Sequence, residues 1–134
     1  YQGSLDEAFI DAAIGLEALF NEAPQDIAYK LAARAALLLS CSDKQDQNDV
    51  FESLKDLYGK RNNIVHGIER EDVEWKDHKL IRKFLRSSLR SCLALAVDRD
   101  KKQVIALIDR ALTRPETRKE LTETIQNGII HLGL

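Results

Sequence analysis

The chain has 134 residues and a formal net charge of −2, enough to bury one hydrophobic core and too few for two, so residues 1–134 read as a single domain. No run approaches the ~18 consecutive apolar residues of a membrane-spanning helix, so no membrane role is expected. Slight acidity excludes a global pull toward nucleic acid, and any such pull must come from a local patch.

Strand signals are nearly missing, whereas helical spacing recurs along the whole chain. Ser4-Leu5-Asp6-Glu7 has the form of a capping box, and Leu5, Phe9, Ala12, Leu16 and Leu19 then make one apolar face that Pro24 terminates. A second helix is predicted from Gln25 or Asp26, with Ile27, Leu31, Ala35 and Leu38 inward, fading at Ser40 to Asp43. After a short polar loop, a third starts near Asp49 with Val50, Leu54, Leu57, Tyr58 and Val65 inward, and Gly67 is placed to end it in a left-handed cap.

An acidic connection, Glu69 to Glu74, leads to the longest helix, from Trp75 to about Asp98. Its core side is expected to carry Leu80, Ile81, Phe84, Leu85, Leu89, Cys92, Leu93 and Ala96. A shorter helix holds Val104, Ile105, Ile108 and Leu112 inward. Pro115 suits the first position of the last helix, which carries Leu121 and Ile125 and is expected to end at Gly128. The fold class is therefore all-α, an up-and-down helical bundle of five to six helices.

The chain has no methionine, so Tyr1 is not expected to be a natural start. The domain reads as excised from a longer polypeptide, whose other domains would be its partners. No leader pattern opens the sequence, and a cytoplasmic location is the default. Cys41 and Cys92 lack paired spacing and read as small buried thiols. The histidines His66, His78 and His131 stand far apart without an acidic cluster, so neither a metal nor another cofactor is expected.

Chemistry concentrates at the end of the third helix. Tyr58, Asn62 and His66 recur at intervals of four and share a face, which would let Asn62 hold the imidazole one turn away. Arg61 falls beside the apolar stripe of Leu54, Leu57 and Val65, where a guanidinium must be paired, line a cleft or face a partner subunit. A permanently charged guanidinium and an imidazole titrating near neutrality suit work on a phosphodiester. His66 is also explained without chemistry, because a helix C-terminus stabilises a histidine there by ~0.3–1 kcal/mol.

Two more sets of residues stand out. Glu17 and Arg34 lie on or beside apolar faces of the first two helices and are expected to contact each other, either as a buried structural pair or as a support that steers Arg61 or a ligand. Lys79, Lys83, Arg86 and Arg90, with Arg82 beside them, form a basic stripe on the fourth helix. The stripe is either a solvated face or the place where a phosphate backbone lies. No aromatic residue interleaves it, so base stacking is not expected there.

The segment Arg61-Asn62-Asn63-Ile64-Val65-His66 resembles the signature of the HEPN superfamily of helical domains. The wider run from Leu57 to Gly67 is similar to its Apea-like branch, as are Ile14 to Phe20 and Lys30 to Leu38, in the same order and separation. The resemblance covers the first half of the chain; the second half matches only as helices. It implies a metal-independent endoribonuclease acting on RNA as a homodimer, in a toxin or defence setting. His66 would be the acid or base at the ribose 2′-hydroxyl, Arg61 would stabilise the phosphorane and Asn62 would orient them. The alternative that the same resemblance carries is a non-catalytic RNA-binding or dimerisation module of a larger effector.

Overall fold

Pro24 and short polar breaks divide a helix-competent chain into six α-helices. In this computed structural model, which describes residues 2–67 and 73–134, they are α1 (Gln2–Phe20), α2 (Ile27–Ser42), α3 (Gln47–His66), α4 (Trp75–Leu95), α5 (Lys101–Thr113) and α6 (Arg118–Leu132). A 3-10 turn at Pro115–Thr117 precedes α6, and the described residues contain no strand. The all-α helical bundle that the periodicity predicts is what forms. No helix among the described residues is long and apolar enough to cross a membrane.

Helix α2 is the centre of the bundle. Every residue from Leu31 to Leu39 except Ala33 is buried, as expected of a helix that is apolar nearly all round and must be surrounded by others. Helices α1, α3, α4, α5 and α6 all pack against it. Around that axis the heaviest packing joins helices distant in sequence, α1 with α4 and α4 with α6, while α3 and α4 meet only lightly. A single apolar cluster runs from Phe9 through Leu38 and Ile81 to Ile125.

Several expected boundaries shift, each for a local reason. Helix α1 already runs from Gln2, so Ser4 lies inside it rather than at its cap. Helix α3 starts two residues early because Asp46 is its cap, its carboxylate accepting the Asp49 N–H at 2.9 Å. Gly67 ends α3 at φ 64°, the left-handed conformation its position predicts. Helix α4 stops at Leu95, short of Asp98. Of the acidic connection expected at Glu69 to Glu74, only Val73 and Glu74 lie within the described residues.

The inward face of α4 also differs. Leu89, Leu93 and Ala96 are exposed, whereas Ser88 and Ser91 are buried. On α4 the close approaches fall at Leu85, which faces Gly15 of α1, and at Ala94, which faces Gly128 of α6, while Leu89 and Leu93 are turned outward. Gly128 belongs to the second of these approaches and does not end α6. A Cβ there would lie 2.2 Å from the Ala94 carbonyl oxygen, so the glycine is what lets α6 lie against α4. The helix continues to Leu132 and is capped by Gly133 at φ 70°. Cys92 is buried, and burial pushes its thiol up to about 12; Cys41, expected to be buried, is only half-buried.

Two glycine substitutions should therefore have opposite signs. Gly128→Ala must move backbone and is expected to destabilise by ~1–3 kcal/mol. Gly59→Ala, in the middle of α3 with nothing within 4 Å of the added carbon, should stabilise by ~0.5–1 kcal/mol. Urea unfolding of the two variants checks both, and equal midpoints would contradict the packing described.

Candidate functional site

The seam between α1 and α3 assembles the first part of the site. Tyr58 is 2% exposed, and its hydroxyl donates to the Ala13 carbonyl at 3.0 Å, with Glu17 Oε1 at 3.3 Å. Burial, and then the neighbouring Glu17 carboxylate, push the Tyr58 phenol well above its usual range despite an opposing pull from Arg61, so it stays protonated. The same Glu17 Oε1 lies 3.2 Å from Arg61 Nη2. Arg61 Nη1 donates to Asn62 Oδ1 at 3.1 Å, and its Nε is buried without a partner. Glu17 thus anchors a guanidinium on an otherwise apolar stripe, which is how the charge is tolerated there.

Asn62 therefore orients Arg61 and not His66. The imidazole stands exposed at the last residue of α3, beside the Gly67 cap. Arg61 and His66 are five residues apart, which separates them by about 140° around the helix: one faces the α1 seam and the other the opposite flank. Val65, expected inward, is 52% exposed, and Ile14 on α1 is 51% exposed. Val65 is one turn beyond Arg61 and Ile14 one turn before Glu17, so apolar side chains flank the ion pair.

Glu17 and Arg34 do not contact each other. Arg34 is 8% exposed and grips Asp109 on α5 with both arms, Nε to Oδ1 at 2.8 Å and Nη2 to Oδ2 at 2.9 Å, while Nη1 donates to the Phe20 carbonyl at the end of α1. A guanidinium fork matches one carboxylate through two parallel bonds, and Asp109 supplies that geometry while Glu17 is engaged by Arg61. Arg34 therefore ties together α1, α2 and α5, and these bonds go to no residue of α3.

On the other flank of α3, Lys60 Nζ meets Asp77 Oδ2 at 2.8 Å, joining α3 to the start of α4. Burial works against the Asp77 carboxylate, but the bond from Lys60, the Glu74 N–H at 3.0 Å and nearby Lys76 outweigh it and hold its pKa below the usual value. This pair sits in a groove of about 610 Å³ between the two helices, lined on the α3 side by Lys55, Asp56, Gly59, Lys60 and Asn63. Asn63 is one turn before His66, so the groove points toward the imidazole and away from Arg61.

Helix α4 carries the basic stripe outward. Lys79, Arg82, Lys83, Arg86 and Arg90 are all exposed, with Arg90 Nη2 also donating to the Leu134 carbonyl at 3.3 Å. A second groove of about 560 Å³ runs along this face and shares Lys76 and Leu80 with the first. Contrary to the sequence reading, an aromatic residue does join the stripe. Trp75 lines this groove, is 61% exposed and lies one turn ahead of Lys79. The spacing of four from Trp75 to Lys79 was the available signal.

The described residues gather no three His, Cys, Asp or Glu side chains as metal ligands would be gathered. Comparison of the chain with protein-family models, with curated proteins and with solved structures finds no match.

Two measurements test this description. Asp109→Asn leaves the buried Arg34 guanidinium without its anion and is expected to cost ~2–3 kcal/mol, less than the ~3–5 of a fully enclosed pair because the Asp109 side chain is 43% exposed. Glu17→Gln should leave that coupling unchanged in a double-mutant cycle. His78 is 6% exposed, and burial, aided by Arg82, depresses its pKa. Below its ordinary value of 6.5 the unfolded chain then binds more protons than the folded one, so stability falls as pH drops from 7 toward 5. The Asp77 contribution is present above about pH 4 and is lost only as pH falls through its lowered pKa. His78→Gln should flatten the slope between pH 7 and 5 in urea titrations; an unchanged slope would mean that His78 is not held neutral.

Proposed function

We propose that the chain is a metal-independent endoribonuclease whose site is completed by a second copy across a two-fold axis. The observation that carries this reading is the end of α3: an anchored, partly exposed guanidinium on one flank, an exposed imidazole on the other, and exposed Ile14 and Val65 beside the Glu17–Arg61 pair. A two-fold contact at the C-terminal end of α3, with that apolar rim at its edge, would set Arg61 of one copy beside His66 of the other, overcoming their separation around a single helix. Cleavage by the ribose 2′-hydroxyl needs a proton removed at that oxygen and another supplied to the departing 5′-oxygen. His66 and the partner's His66 offer the two groups, and Arg61 offsets the charge that develops on the phosphorus oxygens. The α4 stripe would hold the backbone, giving affinity that falls steeply with salt and varies little with sequence.

A second reading, an RNA-binding module that does not cut, is favoured by one feature. Glu17 already neutralises Arg61 within the subunit, at 3.2 Å. Labelled RNA incubated with the protein and excess chelator separates the two, since the first reading cuts and the second only retards. His66→Ala and Arg61→Ala should each lower cleavage by ~10²-fold or more with helicity intact. Mixed dimers of one wild-type and one doubly substituted subunit should lose nearly all activity; retention of half would defeat the shared site.

A further inference from the structure

We infer that Trp75 is a stacking platform for an unpaired nucleobase, and that the α4 face binds single-stranded RNA in preference to duplex. This deepens the RNA reading above and rests on α4 being the RNA-contacting face. An indole 61% exposed on a folded helix leaves a large apolar surface in water, and this one has a specific setting. Its inner face lies over the His78 imidazole, with ring centroids 5.2 Å apart and planes 31° from parallel. His78 is buried, so the indole is backed by a fixed ring while its outer face stays open.

The surroundings select the ligand by charge. Among the described residues the groove that Trp75 opens is lined by Lys76, Lys79, Arg82, Lys83 and Arg86 and by no carboxylate, with Glu74 beside it at 3.2 Å from Lys76 Nζ. An anionic polymer bearing flat apolar groups matches a cationic groove with one ring at its mouth, which is the arrangement that holds single strands. A duplex keeps its bases stacked on each other and presents none to Trp75, so it would gain only the charge contacts. Through Lys76 and Leu80 this groove continues into the one between α3 and α4, where Lys60 and Asn63 lead toward His66. There Asp56 and Asp77 also line the wall, with Asp77 engaged by Lys60. A strand stacked on Trp75 would therefore run toward the imidazole.

Trp75 is the single tryptophan of the chain, so its emission reports on the site without any substitution. The probe is a 2′-O-methyl oligouridine, which cannot be cleaved through its own 2′-oxygen, compared with a 2′-O-methyl duplex of equal length. The single strand should quench the indole and bind more tightly than the duplex. Trp75→Ala should weaken single-strand binding by ~tenfold, Trp75→Phe should retain most of it, and neither should change duplex affinity. Single-strand binding with unchanged emission, or with equal affinity in Trp75→Ala, would overturn the platform. So would a shift of the emission by vesicles of anionic phospholipid together with no oligonucleotide effect, which would assign the face to a membrane surface. Quenching by this probe together with no cleavage of unmodified RNA would count against the ribonuclease alone, so the two failures are distinguishable.

Discussion

Because α2 is apolar nearly all the way round, it is stable only when enclosed, and the other helices take their places from that requirement. The nearly continuous burial from Leu31 to Leu39 leaves one cation inside, Arg34, whose three bonded directions reach the end of α1 and the middle of α5. Breaking that fork would leave a charge in a low-dielectric interior, so the pair constrains how α1 and α5 sit on α2 more than it adds net stability. The position of α1 matters for the site, since α1 carries Glu17.

Helix α3 is held at its two flanks by polar contacts of different kinds. On one side Tyr58 and Arg61 converge on Ala13 and Glu17 of α1; on the other Lys60 reaches Asp77 at the start of α4. Light packing between α3 and α4 leaves room for a groove where the Lys60 contact crosses. Division of the flanks has a chemical consequence. The guanidinium is directed into a seam rimmed by apolar groups, and the imidazole stands over the side that the grooves approach. The charges of α4, local on an otherwise acidic chain, lie on that second side.

Small residues decide the other half of the bundle. Gly128 allows α6 to approach α4 at Ala94, and Leu89 and Leu93, which a simple apolar count would bury, are exposed. The same rotation of α4 leaves Trp75 in solvent with His78 beneath it. An exposed indole and a line of cations thus share one face of α4, while Ala94 meets α6.

Helix existence, the Gly67 cap, the inward stripes of α2, α5 and α6, and the outward stripe from Lys79 to Arg90 were legible in the sequence, since each follows from spacing along one helix or from a local backbone preference. The crowding of Arg61, Asn62 and His66 on α3 was legible for the same reason. Choice of partner was not. Arg34 could be recognised as a buried cation in need of an anion, but Glu17 and Asp109 are both acids on neighbouring helices, and only the packing of α5 on α2 assigns the second to it. Likewise Asn62 lay within reach of both Arg61 beside it and His66 one turn on, and its amide turned to Arg61. Gly128 as a packing contact and Trp75 as a surface residue depended on the rotation of α4 about its own axis. Sequence by itself determined which residues form helices and which chemical groups each helix carries, because these are short-range properties of the chain; tertiary structure alone decided which charges meet and which aromatic face is open, because those depend on the closest approach between helices far apart in sequence.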